Sequence, residues 1–364
     1  MKIICTTNHL RAAVLHVERF TSRHITLPIL SHIFLYVREK KFSLIATNLE
    51  VGIEYLIPGK IQKPGAATAP AKLLSQLLQS IPDETITLEG EQGKLTLYTP
   101  NTTATLIGLD PKDFPNLPII KSEQTFAVAA SLLRGALSQV VPAMATNNLK
   151  PELSGVFCET SAGAITLAAT DSFRLGEKTL TNLDGVKSSG LCIIPARTVQ
   201  ELLRTMPEEG EVRVSVGENQ IVFEWEGARI LSSLIDGTFP PYKNLIPKAY
   251  ETTTVVNRND LVKKIRLAAV FSTRLNDVSL KVTPSAIAIS TMNAETGATT
   301  TELPAKGRGA AGAVVFNYRY LLDGVEAAGG ELTVLNLNGA SGPALIQGHG
   351  DSSYSYLVMP IRST

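Results

Sequence analysis

Apolar residues along the 364-residue chain follow two spacings, and the same succession of spacings occurs three times. Between Leu73 and Ile81 they recur every three or four residues, which predicts an amphipathic helix that ends before Pro82. The segment that contains this helix, Pro70–Pro82, returns 125 residues later as Pro195–Pro207, and a weaker third copy begins at Asn317. Each predicted helix is followed by strands in which apolar and polar residues alternate.

A second marker is a short alternating strand that runs into a polar turn. Its three copies are Phe42–Asn48, Ile165–Asp171 and Ile287–Asn293, and their last residues are separated by 123 and 122 residues. Because two independent markers give nearly the same period, we interpret the chain as three repeats. The predicted domains are residues 1–121, 122–248 and 249–364.

Each repeat also begins with a helix-like stretch. The capping-type residues that precede these stretches are Asn8, Ser131 and Asn259, and we expect them to be the helix N-caps. The repeating unit is therefore helix, strands, helix, strands, which indicates an α+β fold with helices on one face of an antiparallel sheet. Three such units leave open sheet edges, and closure into a ring would pair them.

Composition and charge narrow the class of protein and the kinds of partner that it could bind. The chain is 44% hydrophobic and 18% charged, which predicts that it is folded throughout. Its formal net charge of +1 gives no general attraction to nucleic acid, so any DNA contact must come from local charge. No apolar run approaches the roughly 20 residues of a membrane span, and the N-terminus lacks a secretory apolar segment, so we expect a cytoplasmic protein.

Candidate catalytic and metal-binding motifs are weak. The cysteines Cys5, Cys158 and Cys192 lack CxxC spacing and are interpreted as reduced structural thiols, and the histidines show no ligand spacing. The GxGxxG match at Gly307–Gly312 runs into a strand-like segment rather than a helix, so it lacks the context of a dinucleotide site. No catalytic residue, metal or cofactor is therefore expected. An enzyme with its active site between repeats remains the main alternative.

With these features in hand, the whole chain closely resembles the beta subunit of bacterial DNA polymerase III, the sliding clamp. The segments that carry the resemblance are Thr26–Leu30, Thr47–Glu50, Asp113–Leu117, Ala169–Leu175, Asp236–Pro240 and Val358–Arg362. The resemblance implies a non-catalytic processivity factor. It would be a head-to-tail homodimer of clamp-type domains, with antiparallel sheets outside and helices lining a ring around double-stranded DNA.

The implied partners are duplex DNA bound without sequence preference, the DNA polymerase III alpha subunit, the clamp loader and other clamp-motif proteins, with no membrane. The alternative is a diverged extra-copy clamp that acts as a peptide-binding adaptor. The residues implied to contact DNA are Arg11, Arg23, His24, Lys72, Arg134, Lys150, Arg197, Arg204, Lys263, Lys264 and Arg266. Arg319 is a further candidate. Solvated helix charges are the other interpretation of these residues. Pro151 and Glu152 depart from family members that have tyrosines in this loop.

The resemblance also implies a pocket that captures short peptides with apolar anchors. Its residues are Leu153, Thr170, Ser172, Phe173, Arg174, Leu175, Pro240, Leu245, Tyr320, Pro343, Leu357, Met359 and Pro360. The apolar pattern alone favours Leu175, Leu245 and Leu357 as core residues instead. Ser172 and Phe173 stand where some members have glycine and histidine. For the dimer, the implied interface residues are Leu106, Val270 and Phe271, with burial in the core as the alternative.

Overall fold

The computed structural model describes residues 1–24, 26–91, 93–118, 120–147, 149–183, 185–186 and 189–361, so Arg362 lies outside the described residues. The predicted helices are all present. They are α1 (Thr7–Val17), α2 (Ala71–Ser80), α3 (Ala130–Val140), α4 (Ala196–Thr205), α5 (Arg258–Ala269) and α6 (Tyr318–Ala327). Short 3₁₀ turns occur at Glu18–Phe20, Pro28–Ser31, Pro111–Asp113, Val141–Ala143, Pro151–Leu153 and Tyr242–Leu245.

The predicted N-caps of α1 and α5 were wrong by two residues. The side-chain oxygen of Thr6 caps α1 and that of Asn257 caps α5, where it accepts a hydrogen bond from the Asp260 backbone at 3.1 Å. Helix α3 begins at Ala130, one residue before Ser131. Each helix follows directly on a strand, so it starts at the first residue that is free to leave the sheet.

Strands make up most of the remaining structure. The first thirteen are β1 (Lys2–Thr6), β2 (His32–Arg38), β3 (Lys41–Thr47), β4 (Val51–Ile57), β5 (Lys60–Lys63), β6 (Gly65–Pro70), β7 (Thr85–Glu91), β8 (Lys94–Tyr98), β9 (Thr103–Ile107), β10 (Gln124–Ala129), β11 (Gly155–Ser161), β12 (Ala164–Thr170) and β13 (Arg174–Leu180). The others are β14 (Gly190–Pro195), β15 (Glu211–Val216), β16 (Gln220–Trp225), β17 (Ala228–Ser233), β18 (Thr252–Asn257), β19 (Asp277–Val282), β20 (Ala286–Asn293), β21 (Gly297–Pro304), β22 (Lys306–Gly309), β23 (Gly312–Asn317), β24 (Leu332–Leu337), β25 (Ala344–Gly348) and β26 (Tyr354–Val358).

The chain forms two units, and the first consists of residues Met1–Ser131 and Gln200–Leu234. It contains a five-stranded sheet in the order β5-β1-β7-β8-β9 and an eight-stranded sheet in the order β10-β15-β16-β17-β4-β3-β2-β6. The larger sheet joins strands of the first two sequence repeats where β4 pairs antiparallel with β17, which puts Ile53 opposite Ile230. Helices α1 and α2 pack against each other in this unit.

The second unit consists of residues Leu132–Val199 and Ile235–Thr364. It contains a nine-stranded sheet, β14-β11-β12-β13-β26-β25-β24-β18-β22, and a four-stranded sheet, β21-β20-β19-β23. Strands of the second and third repeats meet where β13 pairs antiparallel with β26, and Leu175 lies opposite Leu357. The α+β fold with antiparallel sheets is confirmed. The three domain boundaries stay a prediction, because each large sheet is shared by two repeats.

A glycine in helix α6 shows how closely helix and sheet approach each other. A Cβ atom at Gly324 would lie 2.3 Å from the ring of Tyr356, which is fully buried on β26. The hydroxyl of Tyr356 donates to the carbonyl of Tyr320, one turn earlier in the same helix, at 2.9 Å. The helix is thereby fixed to the strand that carries part of the candidate site.

Two of the cysteines, far apart in sequence, are neighbours in the fold. Cys158 on β11 pairs in register with Cys192 on β14, and both are free thiols, as is Cys5. Burial raises the pKa of Cys5 to about 12, so its thiol stays protonated at neutral pH. Among the described residues, no helix is long and apolar enough to cross a membrane.

Candidate functional site

One candidate site surrounds the turn between β12 and β13, which is held by several hydrogen bonds and ion pairs. Ser172 has a φ of 78°, a left-handed backbone conformation that is uncommon for residues other than glycine. The Asp171 carboxylate accepts hydrogen bonds from the backbone N–H groups of Phe173 and Arg174 at 2.9 and 3.0 Å. The Thr170 hydroxyl donates to the Arg174 carbonyl at 2.6 Å. These bonds hold the turn in one shape and leave the Phe173 side chain exposed.

Arg174 is the central cation of this site. Its side chain is only 10% exposed, it forms an ion pair with Asp171 at 2.9 Å, and it forms a second ion pair with Asp323. Its guanidinium carbon lies 4.2 Å from the centroid of the Tyr320 ring. Burial lowers the pKa of Arg174, but Tyr356 and Asp171 raise it more, so the group remains charged. Burial also raises the pKa of Asp323, against the opposing effect of Arg174.

The apolar floor beneath the turn comes from both repeats that meet there. Leu153, Leu175 and Leu357 are 5%, 3% and 4% exposed and belong to one buried cluster. Phe239 and Tyr242 complete this cluster from the segment that follows β17. Leu175 and Leu357 are therefore core residues, as the apolar pattern alone favoured.

The rim of the site is apolar and partly open to solvent. Phe173 and Leu245 are each 62% exposed, so Leu245 is not a core residue. The backbone N–H of Met359 donates to the Phe173 carbonyl at 2.9 Å, which brings the C-terminal segment to the turn. Met359 and Pro360 are partly buried, and Pro240 is exposed. Pro343 directly precedes β25, the strand next to β26.

A charged groove borders the same site on the side of helices α5 and α6. It is lined by Arg174, Arg266, Arg319 and Glu326, among others. Arg266 pairs with Glu326 at 2.7 Å, while the guanidinium of Arg319 lies over the ring of Tyr318. Three arginines and three carboxylates line the groove, so their formal charges cancel and the groove does not by itself favour an anionic ligand.

The candidate DNA-contacting residues of the first unit differ in their surroundings. Arg23, His24, Lys72 and Arg204 are exposed. Arg11 instead joins two helices, because its guanidinium donates at 2.8 Å to the carbonyls of Leu78 and Ile81 at the C-terminal end of α2. These carbonyls have no partner within their own helix, so Arg11 has a structural role that the sequence did not reveal.

In the second unit, the candidate DNA-contacting cations are distributed over three helices and one loop. Lys150, Arg197, Lys263 and Arg266 are exposed, whereas Arg134 and Lys264 are partly buried. Their proposed contacts with DNA stay a prediction.

The candidate dimer residues lie beside open sheet edges. Leu106 on edge strand β9 is only 6% exposed, but its neighbour Ile107 is 75% exposed. In the second unit, Val270 is 71% exposed and Phe271 is partly buried next to Gly297, the first residue of edge strand β21. On β9, the apolar surface available to a partner therefore comes mainly from Ile107, not from Leu106.

Three family models match successive parts of the chain. They describe the N-terminal domain of the DNA polymerase III beta subunit over residues 1–118, its central domain over 127–241 and its C-terminal domain over 243–362. Together they account for nearly the whole chain. This chain belongs to the DNA polymerase III beta subunit family.

Relatives in the DNA polymerase III beta subunit family match along their full length. The beta sliding clamp of Synechocystis sp. is 28% identical over 390 aligned positions, which cover 100% of this chain and 99% of the relative. The beta sliding clamp of Bacillus subtilis is 26% identical over 378 positions, and both chains are covered completely.

Solved structures agree with this match. A crystal structure of the DNA polymerase sliding clamp from Bacillus subtilis has a TM-score of 0.96 at 26% identity, with both chains fully covered. A sliding clamp from Pseudomonas aeruginosa bound to griselimycin has a TM-score of 0.95 at 26% identity, also with full coverage. The resemblance read from the sequence and the three-domain clamp fold are confirmed. The family is a non-catalytic processivity factor of DNA polymerase III that acts in DNA replication, so the expectation of a non-enzymatic subunit is confirmed as well.

Sequence reasoning missed several residues of the candidate site. Asp323 pairs with Arg174, and Phe239 and Tyr242 complete the floor, yet none of the three was selected. The repeated Phe-Pro motif, at Phe114 and Phe239, was a usable signal for the floor. No sequence signal pairs Asp323 with Arg174, because 149 residues separate them.

Proposed function

We propose that this chain closes as a head-to-tail homodimer around duplex DNA and tethers the replicative polymerase to its template. The observation that carries the proposal is the full-length match to a DNA polymerase sliding clamp, at a TM-score of 0.96. The comparisons do not favour the diverged adaptor over a replicative clamp.

The open sheet edges support closure. An unpaired edge strand exposes a row of backbone N–H and C=O groups, and pairing of β9 with β21 of a second copy would satisfy them. Exposed apolar side chains lie on or beside both edges: Ile107 on β9, Val270 after α5 and Met292 on β20. Because β9 and β21 lie in different units of the same chain, this pairing is head to tail, and a closed ring of two copies is the assembly that we propose.

Sliding requires that contacts with DNA be numerous, weak and independent of base sequence. Exposed lysines and arginines on helices meet this requirement, since they interact with phosphates at long range and through water. We assign this role to Lys72, Arg197, Arg204, Lys263 and Arg266. Arg23, His24 and Lys150 would contact DNA from loops.

The site around Phe173 supports capture of short peptides. Its apolar floor and exposed apolar rim suit aliphatic or aromatic anchors, and a methionine on the rim adapts to several partners. Arg174 and its partners would fix one side of the pocket. The peptides proposed to enter it belong to the DNA polymerase III alpha subunit, the clamp loader and other clamp-motif proteins, in the cytoplasm.

A topological retention experiment tests the encirclement. The chain is loaded onto nicked circular duplex DNA by its cognate clamp loader, and bound protein is measured before and after the circle is cut once. Retention on the circle and rapid loss after linearisation is the expected result. Equal dissociation from both DNA forms would contradict encirclement and favour the adaptor alternative.

A further inference from the structure

The fold contains two junctions at which strands of successive repeats pair, and both are built around the same turn. The first junction joins β4 to β17 in the first unit, and the second joins β13 to β26 in the second unit. At the first junction, the residue after the polar turn is Leu49, with a φ of 78°. At the second it is Ser172, also with a φ of 78°.

The hydrogen bonds of the first turn match those of the second. The Thr47 hydroxyl donates to the Val51 carbonyl at 3.1 Å and accepts from the Leu49 N–H at 3.0 Å. The Asn48 side chain accepts from the N–H groups of Glu50 and Val51 at 3.1 and 2.8 Å, as Asp171 does in the second turn.

The incoming strand is attached in the same way at both junctions. The N–H of Ser233, at the end of β17, donates to the Glu50 carbonyl at 2.8 Å. Its counterpart is the 2.9 Å bond from Met359 to Phe173. The two turns therefore share conformation, hydrogen bonds and attachment.

One aromatic pair is repeated as well. Phe34 and Phe114 stack with ring centroids 5.0 Å apart at the first junction. Phe157 and Phe239 stack at 4.8 Å at the second. The pocket of the second junction thus has a structural counterpart that the sequence did not indicate.

A cleft is present at the first junction, which we call the first-junction pocket. It encloses about 340 Å³, including its open mouth, and its apolar walls are Pro115, Leu117 and Leu231. Gly52 stands where the second junction has Leu175, and the Leu117 side chain fills that space, with its Cδ2 atom 2.5 Å from where a Cβ of residue 52 would be. The wall therefore stays apolar despite the glycine. Leu49, which also lines the pocket, is 54% exposed.

Charge distinguishes the two pockets. Val51 replaces Arg174 in the turn, and Glu50 replaces Phe173, so the first-junction pocket has a carboxylate at its rim. Glu50 is exposed and lines the mouth. Because the volume of about 340 Å³ includes the open mouth, the cleft offers space for at most one anchor side chain.

We propose that the first-junction pocket is a second peptide-binding site. It takes one leucine-sized aliphatic side chain of an extended partner segment, with an adjacent lysine or arginine paired to Glu50. This proposal rests on the proposed function, because the role of the cleft is inferred from its structural match to the peptide pocket at the second junction.

Methyl NMR of the full-length protein with ¹³C-labelled leucine methyls tests the proposal. The probe is the capped hexapeptide Gly-Ser-Leu-Lys-Ser-Gly, titrated into the millimolar range. The methyl signals of Leu49, Leu117 and Leu231 should shift progressively and saturably, with a Kd on the order of 1 mM. A probe with glycine in place of its leucine should shift none of them.

Charge reversal at the rim supplies the matched variant. Glu50→Lys should weaken binding of the hexapeptide about threefold to tenfold, since it replaces an exposed attraction with a repulsion. Glu84→Lys, the same change at another exposed position of the first unit, should leave the titration unchanged. Both positions are exposed, so neither substitution should destabilise the protein. An unchanged melting temperature verifies that each variant is folded.

The same spectra separate this proposal from the proposed function. A second titration uses a peptide from the cognate alpha subunit, with the Leu175 and Leu357 methyls as reporters of the second junction. If those respond while Leu49, Leu117 and Leu231 respond to neither peptide, the second site is disproved and the proposed function stands. If Leu175 and Leu357 stay unchanged with the alpha-subunit peptide, the proposed peptide pocket fails. Equal binding of the hexapeptide by Glu50→Lys would disprove the assigned ligand chemistry.

Discussion

The guanidinium of Arg174 stacks over the ring of Tyr320, 4.2 Å from its centroid, and so connects the β12–β13 turn to helix α6. The same guanidinium pairs with Asp171 in the turn and with Asp323 in the helix. A planar cation can satisfy a stacking partner and two carboxylates at once, which an ammonium group cannot do with the same geometry. Arg174 therefore fixes the β12–β13 turn and helix α6, two elements of the candidate peptide pocket, relative to each other.

We expect Arg174→Ala to lower the free energy of unfolding by roughly 1–3 kcal/mol, because it leaves the mostly buried Asp171 without its cation. Arg174→Lys should recover only part of this loss. Urea unfolding of both variants measures the effect, with Asp323→Asn as the second arm of a double-mutant cycle. A coupling energy near zero between positions 174 and 323 would contradict the connecting role.

The exposed rim of the peptide pocket should contribute to binding but not to stability. Phe173→Ala is expected to weaken binding of the cognate alpha-subunit peptide about tenfold, as loss of an aromatic anchor contact typically costs about 1–2 kcal/mol. Because this side chain is 62% exposed, the unfolding free energy should change by less than about 0.5 kcal/mol. Fluorescence anisotropy measures the affinity. Tyr98→Ala, an exposed aromatic residue of the first unit, is the control that should bind normally.

Dimer closure through β9 predicts a sensitive position at Ile107. Ile107→Asp places a charge on an apolar edge side chain that is 75% exposed in the single chain, so it should raise the dimer dissociation constant about a hundredfold or more. Val270→Asp tests the partner edge. Sedimentation equilibrium gives the dissociation constant, and Leu191→Asp, at an exposed aliphatic residue of β14, is the control. Unchanged dimers in both edge variants would rule out this interface.

Two helical glycines should respond in opposite directions to the same substitution. Gly324→Ala places a Cβ 2.3 Å from the Tyr356 ring, so overpacking should destabilise the protein by about 1–3 kcal/mol. Apart from its chain neighbours and the backbone of its own helix α3, a Cβ at Gly135 would have no atom of the described residues within 4 Å, so Gly135→Ala should stabilise the protein by about 0.5–1 kcal/mol. Thermal and denaturant unfolding of the pair measures both. Equal effects would contradict the tight contact at Gly324.

Stability should decrease as pH falls through the histidine range. Burial lowers the pKa of His32, although a hydrogen bond to the Pro28 carbonyl opposes this, and burial and Arg19 lower the pKa of His16. The unfolded chain therefore takes up protons first, and stability present above pH about 6.5 is lost as pH decreases below it. Urea unfolding at several pH values between about 7.5 and about 5 measures the slope of the unfolding free energy against pH. His32→Gln should make the slope shallower, and a slope identical to that of the unmodified protein would contradict this assignment.

The amino-acid sequence alone determined the repeat, the six helices, the strand-rich α+β fold and the family. The repeat, the helices and the fold class follow from short-range spacing, because apolar residues three or four apart specify a helix face and alternation specifies a strand. The family follows instead from the resemblance of segments such as Asp113–Leu117. The segments Ala169–Leu175 and Asp236–Pro240 also pointed to the residues around the peptide pocket. Local pattern could not locate the starts of α1 and α5, because several capping-type residues lie close together there: Thr6, Thr7 and Asn8 at α1, and Asn257 and Asn259 at α5.

Tertiary structure alone decided which distant residues meet. It paired Arg174 with Asp323, attached Met359 to Phe173 and left Ile107 exposed while burying Leu106. It also revealed that Leu117 fills the space beside Gly52. Such contacts depend on how strands of different repeats pair in one sheet, and strand pairing is set by burial of whole faces rather than by any residue's neighbours in sequence.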